Sequence, residues 1–147
     1  LNKRTNKERE KSCGCIITKD NKVLLIKQTK GHWGFPKGHV EKNETEIETA
    51  IREVKEETGV DITFVAGFRI KDEHNLAREG RPNTIKQTVY FLAEFRNQRF
   101  APQESEISKI ALLDFESAMA TLQFDSFKHI LEQAHNFLVH NEEKSKR

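Results

Sequence analysis

The order of apolar and polar positions along the chain predicts strands first, a helix in the middle and helices at the end. Residues 13–18 and 23–28 are short apolar runs separated by Lys-Asp-Asn-Lys, a sequence typical of a β-hairpin turn. Residues 60–70 and 85–95 are rich in β-branched and aromatic residues and predict two further strands, and residues 107–113 predict the last one. We therefore expect a sheet with helices packed around it.

A helix is predicted over residues 44–58, and Gly59 is suited to end it in a left-handed conformation. Its apolar residues recur with helical spacing and form a stripe of Ile47, Ala50, Ile51 and Val54. Two more helices are predicted over residues 114–121 and 125–139. The predicted fold class is therefore α/β in the broad sense of a protein with both helices and strands. It is more narrowly α+β, because the elements follow one another in a mixed order along the chain.

Polar segments between these elements predict loops. Residues 31–43 contain three glycines and one proline, and residues 71–84 and 96–106 are also polar. We expect one domain over residues 12–140, a flexible basic tail at 1–11 and a flexible tail at 141–147, as the length of 147 residues suits one core.

Composition and charge exclude several classes of protein. The 25 basic and 23 acidic residues leave a formal charge of +2, and the basic residues are scattered, so no stable binding of a nucleic-acid duplex is expected. No apolar run approaches the roughly 20 residues of a membrane-spanning helix. Cys13 and Cys15 are read as small buried residues without a metal or disulfide role. We expect a cytoplasmic protein that does not enter a membrane, and the sequence predicts no particular oligomeric partner.

Three glutamates on the predicted middle helix suggest a binding site for a metal ion. Glu53, Glu56 and Glu57 share one face by their spacing, which we expect to lie opposite the apolar stripe. Like charges so spaced, near a helix C-terminus, destabilise the helix unless a cation compensates. Oxygen ligands on a rigid element suit Mg²⁺ or Mn²⁺, which commonly bridge carboxylates to substrate phosphates. The alternative is a solvated, glutamate-rich helix without a ligand.

The spacing around these glutamates resembles the Nudix box, G-x5-E-x7-R-E-U-x-E-E-x-G-U, where U is aliphatic. It matches at Gly38, at Glu44 and through residues 52–60, Arg-Glu-Val-Lys-Glu-Glu-Thr-Gly-Val. The resemblance implies a Nudix-type α/β/α sandwich with a curled mixed β-sheet. It also implies hydrolysis of a nucleoside diphosphate linked to another group, by water and a divalent metal ion.

The resemblance further assigns roles within the box. It implies that Glu53 or Glu57 activates the attacking water, and that Glu44 pairs with Arg52 to fix the loop against the helix. The metal ligands that it implies are the carbonyl oxygen of Gly38 and the carboxylates of Glu53, Glu56, Glu57 and Glu106. Glu104 lies close enough in sequence to be an alternative to Glu106.

Residues 32–41, His-Trp-Gly-Phe-Pro-Lys-Gly-His-Val-Glu, are similar to a segment of the asymmetrically cleaving diadenosine tetraphosphate hydrolases, and residues 86–94 and 122–138 extend the similarity. This implies cleavage of diadenosine tetraphosphate to ATP and AMP. It also implies that His32, Lys37 and Lys86 contact the polyphosphate and that Phe124 stacks on an adenine.

The loop at residues 72–83 departs from that subgroup. It contains His74 but lacks the tyrosine that the subgroup stacks on adenine, so strict dinucleotide specificity is left open. Two alternatives therefore stand beside the dinucleotide hydrolase. One is a broader Nudix pyrophosphohydrolase acting on nucleoside triphosphates, oxidised ones or 5′-triphosphorylated RNA, and the other is a catalytically silent module that senses a nucleotide.

Overall fold

A computed structural model describes residues 8–145. Its elements, in chain order, are β1 (Glu8–Lys19), β2 (Lys22–Gln28), β3 (Trp33–Gly34), β4 (Lys37–His39), α1 (Glu46–Thr58), β5 (Ile62–Asn75), a 3₁₀ turn (Leu76–Glu79), β6 (Thr84–Phe95), β7 (Ile107–Asp114), α2 (Phe115–Thr121) and α3 (Asp125–Ser145). None of the helices within these residues is long and apolar enough to cross a membrane.

All seven strands belong to one mixed sheet. The main path runs β3-β2-β1-β6-β5, while β4 pairs with β1 and β7 pairs with β2. The β1–β6 pair is parallel and the other pairs are antiparallel. The predicted mixed α+β class is confirmed.

The sheet carries an apolar core on each face. One core packs Ala50 and Val54 of α1 against β-strand residues that include Cys13 and Cys15, both fully buried as predicted. The other packs α2 and α3 against the opposite face, with Ile130 and Leu131 among its buried residues. Helices therefore cover both faces of the sheet, as the sandwich architecture requires.

Helix α1 begins one residue after Thr45, which forms a capping box with Glu48, and ends at Gly59 with a φ of 81°. Its buried face differs from the predicted stripe. Ile47 and Ile51 are 39% and 47% exposed. Compared with the prediction, the buried face is rotated about the helix axis, and it includes Glu57 together with Ala50 and Val54. Glu57 therefore lies on the apolar face and not opposite it, and the backbone of Lys37, in the segment before α1, contacts its carboxylate.

Several predicted loops and tails are partly regular. Strand β1 includes residues 8–11, predicted as tail, because Glu8 begins a parallel ladder with Thr84 of β6. Residues 1–7 and 146–147, where the rest of the tail predictions falls, lie outside the described residues. Helix α3 includes residues 141–145. The predicted polar loop at 71–84 begins with an extension of β5, which pairs with β6 as far as Asn75.

Candidate functional site

The loop before α1 lies against β1 because Gly14 leaves room for it. A side chain at Gly14 would overlap the carbonyl oxygen of Pro36 and the Cβ of Lys37. The backbone N–H of Lys37 donates a hydrogen bond of 2.9 Å to Oε1 of Glu57. This hydrogen bond therefore joins the loop to α1 at Glu57, one of the predicted metal ligands.

Glu57 is a buried carboxylate, only 3% exposed. Burial raises its pKa to about 8, and the nearby charge of Glu53 acts in the same direction, while the Lys37 N–H opposes both. Burial also raises the pKa of Glu53. The charge of Glu106 contributes to raising the pKa of both groups, which indicates that it lies near them. The positive charge beside these carboxylates does not offset their burial and mutual repulsion.

Arg52 is the cation at the centre of the acidic helix. Its Nε donates to Oε2 of Glu44 at 2.6 Å and its Nη2 to Oε1 of Glu44 at 2.9 Å. These bonds hold the pKa of Glu44 down at about 2 and raise the pKa of Arg52. Nη1 of Arg52 donates to Glu53 at 2.8 Å and to Glu56 at 3.2 Å. Arg52 thus joins the loop residue Glu44 to two of the three predicted metal ligands.

The donor set fits a hard divalent cation. A side chain at Gly38 would occupy the same space as the carboxylate of Glu53, so the glycine leaves the backbone open beside that group. Carboxylate and carbonyl oxygens are the donors that Mg²⁺ prefers. Within residues 8–145, no group of three or more His, Cys, Asp or Glu side chains is gathered in metal-binding geometry. Glu53 and Glu56 are instead turned toward Arg52, and Glu57 is turned toward Lys37.

A cavity of about 650 Å³ is lined by all four side chains predicted to bind substrate: His32, Lys37, Lys86 and Phe124. The rings of His32 and Phe124 meet edge to face, with centroids 4.4 Å apart. Phe124 is 41% exposed, so its ring is not part of the core. The cavity combines aromatic surface with ammonium groups, an arrangement suited to a nucleotide.

Lys37 and Lys86 contribute positive charge to this cavity, in addition to Arg78 on its wall. Burial lowers the pKa of Lys37 to about 8, and the charge of Lys86 lowers it further, whereas Glu57 and Asp72 oppose that effect. Two ammonium groups in one cavity, one of them half-buried, repel each other. A bound anion such as a phosphate would relieve that repulsion.

The sequence did not point to several other residues of the cavity. Asn75, Leu76, Arg78 and Glu79 lie on its wall, next to His74, which the sequence analysis had already named in this segment. They belong to the end of β5 and the following 3₁₀ turn, a segment predicted as a polar loop. The sequence carries no alternation of apolar and polar residues in this segment, because residues 71–75 are all polar.

Comparisons with known proteins agree with this geometry. Residues 8–133 match the NUDIX domain family. The chain is 35% identical over 144 residues to the asymmetrical bis(5′-nucleosyl)-tetraphosphatase of Mus musculus, covering 87% of this chain and 95% of that protein. The corresponding protein of Sus scrofa is 34% identical with the same coverage.

A solved structure of a C. elegans Ap4A hydrolase binary complex has the same fold. It superimposes with a TM-score of 0.78 at 23% identity, covering 89% of this chain and 98% of that one. The Nudix-type architecture and the enzyme class, a hydrolase acting on phosphoric anhydride bonds, are confirmed. With a match over most of its length, the chain belongs to the NUDIX domain family.

Proposed function

We propose that this protein hydrolyses diadenosine tetraphosphate to ATP and AMP, with Mg²⁺ or Mn²⁺ as cofactor. The observation that carries the proposal is one cavity shared by His32, Lys37, Lys86 and Phe124. The hydrogen bond from the Lys37 backbone to Glu57 joins that cavity to the acidic helix. A polyphosphate in the cavity would therefore lie beside the carboxylates.

The proposed metal ligands are the carbonyl oxygen of Gly38 and the carboxylates of Glu53, Glu56, Glu57 and Glu106. These residues would hold a divalent ion, which would supply positive charge to offset the phosphate oxygens and to lower the pKa of a water molecule.

Each protein group has a further proposed task. Glu53 or Glu57 accepts the proton of the attacking water, since Glu57 is buried and Glu53 is half-buried beside the loop at Gly38. Lys37 and Lys86 hold the phosphate chain as point charges, and His32 contacts the same chain. Phe124 offers its exposed ring to an adenine. Arg52 and Glu44 keep the loop in place against α1 and touch no substrate.

The relatives favour this substrate. The mouse and pig proteins are bis(5′-nucleosyl)-tetraphosphatases of the asymmetrical type, and the similarity extends over 87% of this chain. We infer that the single domain proposed for residues 12–140 carries the whole activity, with the cavity formed between β2, β6 and the start of α3.

Separation of reaction products by anion-exchange chromatography tests the proposal. The protein is incubated with Mg²⁺ and either diadenosine tetraphosphate, ATP or 5′-triphosphorylated RNA, and initial rates are compared. We expect ATP and AMP in equal amounts from the dinucleotide, at a rate well above that with the other substrates. Release of ADP as the only product, or equal rates with ATP, would contradict the assignment.

The variant Glu57→Gln, with Glu132→Gln on the exposed face of α3 as control, separates an enzyme from a nucleotide sensor. The proposal requires that Glu57→Gln lose at least about 100-fold in rate. Full activity in that variant would remove Glu57 from the proposed mechanism.

A further inference from the structure

Tyr90 carries a hydroxyl group that the proposed mechanism does not use. The residue is fully buried in the core that α2 and α3 cover. Among residues 8–145, its Oη is the only buried side-chain oxygen or nitrogen without a hydrogen-bond partner. Burying a hydroxyl without a partner costs free energy, so a phenylalanine would suit a purely apolar position better. The oxygen of Tyr90 therefore requires a functional explanation.

The strand pairing places Tyr90 beside Lys37. Gly14 of β1 pairs with Lys37 of β4 on one side and with Tyr90 of β6 on the other. Paired residues of neighbouring strands project from the same face of a sheet, so Lys37 and Tyr90 flank Gly14 on one face. Because Gly14 has no side chain, the Cβ of Lys37 occupies the space above it. No side chain of β1 therefore stands between Lys37 and Tyr90.

The surrounding charges also place the two polar groups close together. Burial raises the pKa of Tyr90, and the charges of Asp72 and Glu57 raise it further, so both carboxylates lie near the phenol. Burial lowers the pKa of Lys37, and the same two carboxylates partly oppose that effect. The ring of Tyr90 packs edge to face against Phe35, with centroids 5.6 Å apart. The ammonium and the hydroxyl therefore share two charged neighbours, while a packed ring fixes the direction of the phenol.

We propose that Tyr90 is a positioning residue for phosphate binding, whose hydroxyl accepts a hydrogen bond from the ammonium group of Lys37 when a polyphosphate occupies the cavity. In the structure, Lys37 and Lys86 repel each other and the phenol oxygen has no donor. A phosphate chain between the two ammonium groups offsets that repulsion. One of the three N–H groups of Lys37 then reaches the Tyr90 oxygen, and the others hold phosphate.

The inference rests on the proposed function for the kind of ligand, a polyphosphate. It goes further in giving a buried hydroxyl, which touches no substrate, a part in holding that ligand.

Calorimetric titration with inorganic tripolyphosphate, in buffer without divalent metal ions, tests this role. Tyr90→Phe keeps the ring and removes only the oxygen. We expect it to bind tripolyphosphate about tenfold more weakly, the scale of one hydrogen bond to a charged group. It should melt at or above the wild-type temperature, because the deleted oxygen has no partner in the free protein.

Thr18→Val is the matched control. It removes a buried hydroxyl near the other end of β1, and this hydroxyl does have a partner, the carbonyl oxygen of Ala93. The affinity for tripolyphosphate should be unchanged in this variant.

A double-mutant cycle with Lys37→Met separates positioning from a general structural effect. Since the hydroxyl acts through the ammonium group of Lys37, Tyr90→Phe should not weaken binding further when residue 37 has lost that group. With the dinucleotide as substrate, Tyr90→Phe should raise KM and leave kcat nearly unchanged.

The hydrogen bond itself can be observed, because Tyr90 is the single tyrosine of the chain. Protein labelled with ¹³C at the tyrosine ring carbon that bears the oxygen gives one NMR signal for that carbon, and its chemical shift depends on the hydrogen bonding of the hydroxyl. We expect this signal to move when tripolyphosphate is added to the wild-type protein. In Lys37→Met it should stay in place at saturating tripolyphosphate.

Unchanged tripolyphosphate affinity in Tyr90→Phe, an equal loss in the Lys37→Met background, or a melting temperature below that of the wild type would overturn the proposal. A labelled signal that does not move in the wild-type protein would overturn it as well. If Tyr90 and Lys37 are coupled as expected but the wild-type protein hydrolyses no nucleoside polyphosphate, the proposed function fails while the positioning role stands.

Discussion

Gly38 faces the carboxylate of Glu53 so closely that no side chain fits between them. A methyl group at Gly38 would meet the end of a flexible side chain, which can turn away at little cost to the fold. Gly38→Ala should therefore displace the Glu53 carboxylate and reduce the hydrolysis rate by at least about tenfold, the scale of a misplaced catalytic group. Thermal unfolding should show a much smaller change.

Gly31→Ala is the matched control, because a Cβ there meets only ordinary contacts with Gln28. A Gly38→Ala protein with wild-type kcat/KM would show that the close approach to Glu53 has no functional purpose.

The Arg52–Glu44 pair should be a stability element. Glu44 accepts two hydrogen bonds from Arg52, one from Thr49 and one from the backbone of Glu41. Glu44→Gln removes the negative charge and leaves the guanidinium with Glu53 and Glu56 as its remaining charged partners on α1. We expect a lower melting temperature by differential scanning calorimetry.

Activity of Glu44→Gln should also fall, since Arg52 then competes more strongly for the proposed metal ligands. A Glu44→Gln protein that melted at the wild-type temperature with unchanged turnover would show that the pair stabilises neither the fold nor the site.

The two lysines of the cavity should set the affinity for polyphosphate. Lys37→Met and Lys86→Met each remove one charged donor, a loss of about 10- to 100-fold in binding. Steady-state kinetics should show this mainly as a higher KM. Lys71→Met, on the opposite face of β5, should behave like the wild type. An unchanged KM in both cavity variants would place the phosphate chain elsewhere.

A fall in pH should weaken the ion pairs through which Glu46 joins α1 to the sheet. Hydrogen bonds from Arg69 and Lys11 hold the pKa of Glu46 down at about 2, from an ordinary value of 4.5. A depressed pKa adds stability that is present above about pH 4.5 and is lost as the pH falls toward 2. Urea unfolding at pH 5 and pH 3 should show a smaller loss of stability in Glu46→Gln than in the wild type.

Glu132→Gln is the comparison for this measurement, because Glu132 is exposed on α3. An equal loss of stability in Glu46→Gln and in the wild type would show that the ion pairs of Glu46 do not contribute.

The sequence predicted the features that depend on neighbouring residues, and it missed those that depend on pairing between distant strands. The end of α1 at Gly59 followed from its left-handed conformation. The start of β1 at Glu8 did not, because residues 8–11 are polar and become a strand only by pairing with β6, more than seventy residues away. The extension of β5 to Asn75 was missed for the same reason, since its pairing with β6 brings His74 opposite Lys86.

Helix α1 likewise has one feature that its sequence predicted and one that it did not. Its spacing predicted that Glu53, Glu56 and Glu57 share a face, but not that the loop at Lys37 buries one of them. Burial depends on which elements cover the helix, and periodicity within the helix cannot supply that information. The exposure of Ile47 and Ile51 is the other consequence of the same rotation.

Direct titration of metal ions into the protein, without substrate, tests whether α1 provides a divalent cation site. Isothermal calorimetry with Mg²⁺, and electron paramagnetic resonance with Mn²⁺, should detect binding to the wild-type protein. Glu53→Gln and Glu57→Gln should each weaken it at least about tenfold, as loss of a charged oxygen ligand would. Glu132→Gln should bind as the wild type does. A wild-type protein that takes up neither ion, or glutamine variants that bind as tightly as the wild type, would show that α1 does not provide the cation site.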